Sequence, residues 1–184
     1  MYKRTGKNMR KYFSNRIRIF DTTLRDGEQM PGVIFTQEEK IELAEKFSDF
    51  GVDIIDLMPV VSEKEKETTK IIANMGVKSE ISATCRLKKE DIDVSMDCGI
   101  KRITLFTPLS DLHLQYKLRI SREENLERAV AMIDYAREHG LTVDFAGEDS
   151  TRADRNYLIH FINQISNKIK IFFVADTLGC FTPL

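Results

Sequence analysis

Six short apolar stretches alternate with amphipathic segments along this chain, and this alternation constrains its fold more than any other feature. Several of the apolar stretches are hydrophobic on both faces, which is typical of strands buried in a parallel sheet. Strands and helices that alternate with short connections predict parallel strands joined by right-handed crossovers. The predicted fold class is therefore α/β. The predicted strands are residues 17–20, 53–57, 80–84, 102–106, 141–146 and 170–175.

Helices are predicted between the strands from their start and stop signals. Residues 36–39 have the sequence of a capping box, in which a Thr hydroxyl and a Glu carboxylate satisfy exposed backbone N–H groups. The helix that follows carries Ile41, Ala44, Phe47 and Phe50 at helical spacing, which predicts an apolar face. Glycines can end three of the helices in the left-handed conformation. The predicted helices run from Thr36 to Gly51, from Ser62 to Gly76, over residues 88–98, from Ser121 to Gly140 and over residues 153–166.

Composition excludes several classes of function. The net charge of −1, with 31% charged residues, gives no electrostatic basis for binding nucleic acid or a membrane surface. No apolar run is long enough to span a bilayer. Cys85, Cys98 and Cys180 lack a CxxC spacing, which argues against a disulfide scaffold or a zinc site and fits a cytoplasmic location. Residues 1–15 predict a basic, solvated N-terminal tail, with a transit peptide as the alternative, and residues 16–184 predict one domain.

A polar stretch at residues 21–29 follows the first predicted strand. Loops at the carboxyl ends of parallel strands are where such proteins bind ligands, because the strands hold the loops rigidly. Arg25 offers a fixed cation to a substrate oxyanion, and the adjacent Asp26 offers a hard oxygen ligand to a divalent metal. The alternative for a single pair of this kind is a buried ion pair beside a glycine turn.

Later strands end in similar polar segments. His113 lies in the segment after the fourth strand, Glu148 follows the fifth, and Thr177 follows the sixth. No GxGxxG or GxxxxGK sequence follows any strand, which argues against a nucleotide-binding sheet. Periodicity alone leaves an open doubly wound sheet and a closed barrel as alternatives.

Residues 21–29 resemble the strand-1 signature of the isopropylmalate, homocitrate and citramalate synthases. Residues 147–154 resemble the Gly-Glu-Asp-x-(Ser/Thr)-Arg-Ala-Asp stretch of one type of homocitrate synthase, and residues 175–179 match the family's Ala-Asp-Thr-x-Gly. The likeness covers roughly residues 17–183. It implies a TIM (β/α)8 barrel, of which about six βα units are present. Glu28 favours the synthases over the related hydroxymethylglutaryl-CoA lyases, which usually carry Leu there.

The resemblance implies a metal-dependent Claisen-type condensation of acetyl-CoA with a 2-oxo acid. Asp26 would then help to bind Mg²⁺ or Mn²⁺, with Zn²⁺ possible, and Arg25 would stabilise the developing alkoxide. Glu148 would be an active-site carboxylate, and Arg152 would order its loop. The residues that would contact the substrate are Gln29, Asp56, His113 and Thr177, where Asp56 replaces the Glu usual in the family.

Two features depart from the family pattern. A TIM barrel has eight strands, and the family's seventh strand carries a His-x-His metal-binding pair, whereas this chain has only His113, His139 and His160. Three hypotheses accommodate the difference: a fragment of a longer protein, one half of a split enzyme completed by another chain, or a degenerate subunit without catalysis. A carbon–carbon lyase on the same barrel is a further alternative. The family also makes a homodimer or a complementing chain the expected protein partner.

Overall fold

The computed structural model of the protein describes residues 17–182, and in them six parallel strands form one sheet. The strands lie in the order in which they occur along the chain, and each pairs with the next in parallel register. The predicted α/β class and the six predicted strands are therefore confirmed. The basic tail predicted at residues 1–15 lies outside the described residues. The strands are β1 (Phe20–Asp21), β2 (Ile54–Leu57), β3 (Glu80–Arg86), β4 (Arg102–Pro108), β5 (Thr142–Glu148) and β6 (Phe172–Val174).

The first strand is shorter than predicted and begins later. Ile17 is 89% exposed, and the ladder to β2 contains only Phe20 and Asp21. The backbone N–H of Ile19 instead donates to the side chain of Asp53. The prediction of a strand over residues 17–20 was wrong at its start, because a carboxylate takes the place of a ladder partner there.

Three other strands are longer than predicted at their carboxyl ends. β3, β4 and β5 continue to Arg86, Pro108 and Glu148, and the last rung of the β4–β5 ladder joins Pro108 to Glu148. Glu148 is consequently the final residue of a strand and is not part of a loop. Because Glu148 is paired in the β4–β5 ladder, its side chain starts from a rigid backbone.

The sheet is curled, so that its two edge strands approach each other. The rings of Phe20 on β1 and Phe173 on β6 have centroids 4.8 Å apart. A flat sheet of six strands would separate these residues by about five strand spacings of roughly 4.8 Å each. The architecture is therefore a curled half-barrel with helices between its strands.

The helices connect successive strands in the predicted order. They are α1 (Gln37–Phe50), α2 (Glu63–Asn74), α3 (Lys89–Asp97), α4 (Asp111–His113), α5 (Arg122–Glu138) and α6 (Arg155–Ile165). The predicted capping box is present at Thr36 and Glu39, and Gly51 ends α1 with a φ of +99°. Among the described residues no helix is both long enough and apolar enough to cross a membrane.

Phe50 does not lie on the apolar face of α1 as predicted, because its side chain is 82% exposed. Ala44 and Ser48 mark the buried side of this helix. Six residues after Ala44, a side chain points about 120° away from the direction of Ala44 around the helix axis. The spacing of Ile41, Ala44 and Phe47 describes the packed face, and Phe50 falls outside it.

Two hydrophobic clusters support the carboxyl ends of the strands. The larger one joins β3, β4 and β5 to α3, α5 and α6 and includes Ile103, Phe145 and Phe161. The smaller one joins the segment after β1 and strand β2 to α1 and α2 and includes Leu24 and Ile55. The helices are therefore packed against the sheet by two separate apolar clusters.

Candidate functional site

Most of the polar residues predicted from the sequence gather with other polar side chains at the carboxyl ends of the strands, in two groups. The first, here called the β1–β3 cluster, consists of Arg25, Asp26, Asp56 and Thr84. The second, called the β4–β6 cluster, consists of His113, Lys117, Glu148, Asp149 and Thr177. Because all six strands are parallel, both clusters lie on the same rim of the half-barrel.

A tight turn after β1 presents Arg25. The carbonyl oxygen of Thr22 accepts hydrogen bonds from the backbone N–H groups of Arg25, Asp26 and Gly27, at 3.1, 2.8 and 3.1 Å. The chain then enters a 3₁₀ turn at Gly27–Gln29. Three donors on one carbonyl make the turn compact, so the side chains of Arg25 and Asp26 start from a well-defined backbone.

The guanidinium of Arg25 is held by two carboxylates. Its Nε donates to Oδ2 of Asp56 at 2.8 Å, and its Nη1 donates to Oδ1 of Asp26 at 3.0 Å. A guanidinium carries five N–H donors. Within the described part of the chain, three of these five remain for a ligand. Arg25 is thus a fixed cation with donors to spare, and its predicted contact with a substrate oxyanion stays a prediction.

Asp56 lies beneath Arg25 and has no exposed surface. Its Oδ2 accepts hydrogen bonds from Arg25 and from the hydroxyl of Thr84, at 2.6 Å for the latter, while its Oδ1 has no partner among the described residues. Burial raises the pKa of Asp56 to about 6, and the nearby charge of Arg25 opposes this rise. The predicted contact between Asp56 and a substrate stays a prediction, since the contact seen is with Arg25.

Replacing Asp56 with Asn is expected to change how stability depends on pH. Because the pKa is about 6 in the folded protein and 3.8 for an ordinary Asp, the folded form binds more protons than the unfolded form between these values. The free energy of unfolding of the wild type should therefore fall as pH rises from 4 to 7, by up to about 3 kcal/mol from this group. The Asn variant should lack this component.

Denaturant unfolding at pH 4, 5, 6 and 7 measures the difference between the two proteins. The exposed carboxylate of Asp49 provides the matched control, since an Asp49→Asn variant should follow the wild type at every pH. Parallel pH curves for the wild type and the Asp56 variant would show that the raised pKa is absent.

Glu148 is the centre of the β4–β6 cluster. Its Oε1 lies 2.9 Å from Nδ1 of His113 and accepts a hydrogen bond from Nζ of Lys117 at 2.7 Å. The second oxygen, Oε2, also accepts from Lys117, at 2.9 Å. His113 is positioned by the short helix α4, whose N-cap Ser110 accepts the backbone N–H of His113. The arrangement joins a carboxylate to two groups that can carry a proton.

Asp149 ties together the segments that follow β4, β5 and β6. Its Oδ2 accepts from Oγ of Ser110 at 2.5 Å and from Nη2 of Arg152 at 2.6 Å, and its Oδ1 accepts from Nε of Arg152 at 2.8 Å. Its backbone N–H donates to Oγ1 of Thr177 at 2.9 Å. The paired guanidinium of Arg152 lowers the pKa of Asp149. Arg152 therefore makes the ordering contact that its place in the motif suggests.

The backbone around Asp149 is unusual. Asp149 is buried and has a φ of +55°, a left-handed conformation that is uncommon for residues other than glycine. Just before it, a Cβ on Gly147 would lie 2.7 Å from Cδ1 of Leu109, so no larger residue fits without a shift. The sequence interpretation did not single out Asp149. Asp149 could have been identified from its position directly after Glu148 and three residues before Arg152.

Thr177 keeps its hydroxyl proton available. Its Oγ1 accepts a hydrogen bond from Asp149, so its O–H can still donate to a ligand. Thr177 is exposed at the rim. The geometry is compatible with the predicted contact between Thr177 and a substrate carboxylate.

A cavity of about 290 Å³ adjoins the β1–β3 cluster. Its walls include Arg25, Glu28, Gln29 and Glu65, together with apolar side chains. Gln29, predicted to bind substrate, is exposed here. Lys40, which pairs with both glutamates, was missed from the sequence. It lies one turn before the buried Ala44 on the same helix, and a lysine at a core position was a signal that could have identified it.

The residues present do not make up a metal centre by themselves. Among residues 17–182 there is no group of three His, Cys, Asp or Glu side chains that could hold a metal ion. Asp26 supplies one carboxylate, whose side chain is 62% exposed and already accepts a hydrogen bond from Arg25. The assignment of Asp26 as a metal ligand stays a prediction.

Three comparisons relate the chain to known proteins. Residues 16–184 match the family model described as HMGL-like. The chain is 47% identical over 174 residues to a probable 2-isopropylmalate synthase of Methanopyrus kandleri, covering 92% of this chain and 34% of that protein. It is 45% identical over 177 residues to the homocitrate synthase AksA of Methanothermobacter thermautotrophicus, covering 93% of this chain and 44% of that protein. The chain thus spans less than half the length of either relative.

The fold also has close counterparts among solved structures. The HMG-CoA lyase of Bacillus subtilis superposes with a TM-score of 0.75 at 18% identity, covering 90% of this chain and 59% of that one. Identity this low is informative about the fold alone. The predicted incomplete TIM barrel is confirmed by this likeness and by the curled six-stranded sheet.

Proposed function

The chain belongs to the HMGL-like family, and we propose that its rim binds a 2-oxo acid and takes part in the condensation of that acid with acetyl-CoA. The proposal places the protein among the acyltransferases that convert an acyl group into an alkyl group on transfer. The observation that carries it is the fixed guanidinium of Arg25, held by the buried Asp56 and still equipped with donors. The names of the two relatives support the same class of reaction.

Arg25 receives the oxygens of the acceptor in this proposal. In a Claisen-type condensation the carbonyl oxygen of the acceptor becomes an alkoxide when the new carbon–carbon bond forms. Donors aimed at that oxygen before reaction stabilise the charge as it develops, without reorganising first. Asp56 and Asp26 hold the guanidinium at 2.8 and 3.0 Å, so the donors are oriented in advance.

Glu148 handles protons in the proposed reaction. A methyl proton must leave acetyl-CoA for the enolate to form, and a carboxylate at a strand end is suited to accept it or to pass it through a neighbour. His113 lies 2.9 Å from Glu148 and provides that neighbour. Thr177 donates its free O–H to the carboxylate of the 2-oxo acid.

A divalent cation, when bound, would polarise the acceptor carbonyl as a Lewis acid. The family resemblance implies such a cation, and Asp26 is the described residue with the chemistry to contribute a ligand. The remaining ligands would come from the substrate and from groups outside the described residues.

Condensation alone leaves coenzyme A attached to the product as a thioester, and hydrolysis of that thioester by water then releases free coenzyme A. Release of free coenzyme A therefore tests the proposed function. The protein is incubated with acetyl-CoA and, in turn, with pyruvate, 2-oxoisovalerate or 2-oxoglutarate, each with Mg²⁺ or Mn²⁺ and with a chelator control. Turnover that depends on one acid and disappears with chelator is the expected result, and it would identify the acceptor. Turnover that resists chelation would remove the metal role from Asp26.

A parallel incubation with hydroxymethylglutaryl-CoA distinguishes condensation from cleavage. Release of acetyl-CoA from that thioester, with no condensation of any acid, would replace the proposal with a carbon–carbon lyase. Inactivity in both assays, with no binding of any of the three acids by calorimetry, would contradict the proposal for this chain alone and would leave a fragment, one half of a split enzyme and a non-catalytic subunit as the descriptions.

A further inference from the structure

Lys40 is a lysine in the interior of the protein, and it takes no part in the chemistry proposed above. Its side chain is 1% exposed, which places it among the largest fully buried side chains of the described residues. It projects from the first turn of α1. Its Nζ lies 2.5 Å from Oε2 of Glu28 and 2.6 Å from Oε2 of Glu65. One ammonium therefore joins three segments: the turn after β1, helix α1 and helix α2.

Stability is a weak explanation for this arrangement. Removing a charge from water is costly, and well-packed apolar residues in place of a buried ion pair are often as stabilising. A buried ion pair does, however, fix the relative position of its partners, because a buried charge that loses its partner is costly. The expected effect of Lys40 is therefore on the position of the groups that it contacts.

The turn held by Lys40 is the one that presents Arg25. Glu28 lies in the 3₁₀ turn at Gly27–Gln29, directly after Asp26 and Gly27. Its second oxygen, Oε1, accepts the backbone N–H of Phe35 at 3.4 Å, so Glu28 also links the start and the end of the β1–α1 loop. Because Arg25, Asp26 and Gly27 share one carbonyl acceptor, a shift of Glu28 would move the whole turn.

Both partners of Lys40 also line the cavity beside Arg25. Glu28 and Glu65 form part of the wall of the 290 Å³ cavity, together with Arg25 and Gln29. Lys40 lies behind that wall and neutralises the two carboxylates from the protein side. Without it, the two carboxylates that now contact one nitrogen would lie close together and repel each other.

We propose that Lys40 is a positioning residue: by pairing with Glu28 and Glu65 at once, it fixes the turn that carries Arg25, Asp26 and Gln29 against α2. The effect on reaction rate rests on the proposed function, whereas the effect on the turn does not. A misplacement of about 1 Å at reacting groups can cost on the order of 10² in rate. Loss of Lys40 should therefore affect catalysis although Lys40 contacts no substrate.

The decisive variant removes all three charges together. In the triple variant Lys40→Met, Glu28→Gln and Glu65→Gln, none of the three charges is left without its partner, so we expect the protein to fold while the charged link is lost. The matched control is Lys46→Met on the same helix, which breaks the exposed pair between Lys46 and Glu42. Two measurements are made on each protein: kcat/KM for the 2-oxo acid, and hydrogen–deuterium exchange of the backbone over residues 22–29.

The triple variant is expected to lose about 10²-fold in kcat/KM and to exchange faster over residues 22–29, with a melting temperature close to that of the wild type. The control should match the wild type in both measurements. Wild-type kcat/KM and wild-type exchange in the folded triple variant would overturn the proposal. If the triple variant does not fold, Glu28→Gln, which leaves Lys40 paired with Glu65, is judged by the same measurements.

The two readouts separate this inference from the proposed function. If the wild type condenses no 2-oxo acid, the proposed function fails, and exchange over residues 22–29 alone decides whether Lys40 positions the turn. Faster exchange in the triple variant supports the positioning role, and unchanged exchange overturns it.

Discussion

An Arg25→Ala variant of the active protein is expected to lose a factor on the order of 10²–10³ in kcat/KM for the 2-oxo acid. The reason is the loss of oriented N–H donors at the oxygen that becomes an alkoxide. Asp56 holds this guanidinium at 2.8 Å from a fully buried position, so its donors are oriented before a substrate binds. Steady-state kinetics with the acceptor found in the coenzyme A assay measures the effect.

An Arg25→Lys variant separates charge from geometry. Lysine keeps the positive charge and lacks the planar fork that donates to Asp56, to Asp26 and to a ligand together. It should therefore recover little of the lost rate. The control is Arg128→Ala, which breaks only the exposed pair between Arg128 and Glu124 on α5. Full activity of the Lys variant would mean that a cation suffices, and full activity of the Ala variant would exclude Arg25 from the reaction.

A Glu148→Gln variant should lose on the order of 10²–10⁴ in kcat, the range typical of general acid–base catalysis. Glutamine has nearly the same shape as glutamate, so Glu148→Gln keeps the strand end and the nearby backbone. The glutamine amide cannot accept a proton as the carboxylate does. It also removes the negative charge that pairs with Lys117, whose Nζ contacts both carboxylate oxygens in the wild type. The loss is expected mainly in kcat, with a smaller change in KM.

The Glu148 prediction is checked against a carboxylate of similar type elsewhere. Glu124→Gln removes the exposed partner of Arg128 on α5 and should leave kcat unchanged. A Glu148→Asp variant keeps the charge but places it one methylene further back. Its kcat should lie between that of the wild type and that of the Gln variant. A change of KM alone in Glu148→Gln would assign Glu148 to substrate binding and not to proton transfer.

The elements of the fold were predictable because their signals are local. The capping box at Thr36 and Glu39 depends on residues three apart, and it is present as predicted. The apolar runs identified all six strands. Errors occurred at strand ends, as at Ile17, where pairing depends on residues far away in the chain.

The position of several candidate residues at one rim was predictable from the sequence, whereas their contacts and the places of Asp149 and Lys40 were not. Arg25, Glu148 and Thr177 stand at strand ends, where a parallel sheet must bring loops to one rim. That Arg25 bonds to Asp56, 31 positions along the chain, could not be deduced from either segment. The same holds for Lys40 and Glu65, whose pairing requires two helices to pack.

The α/β class, the order of strands and helices and the family likeness follow from the amino-acid sequence, because periodicity, capping signals and motifs depend on residues that are neighbours in the chain. Three features could be found in the folded protein alone: the curl of the sheet that brings Phe20 to Phe173, the links that Asp149 makes between three loops, and the burial of Lys40 between two glutamates. These features arise from contacts between residues distant in the chain. Their energies depend on burial and on the exact separation of charged atoms, which no local pattern encodes.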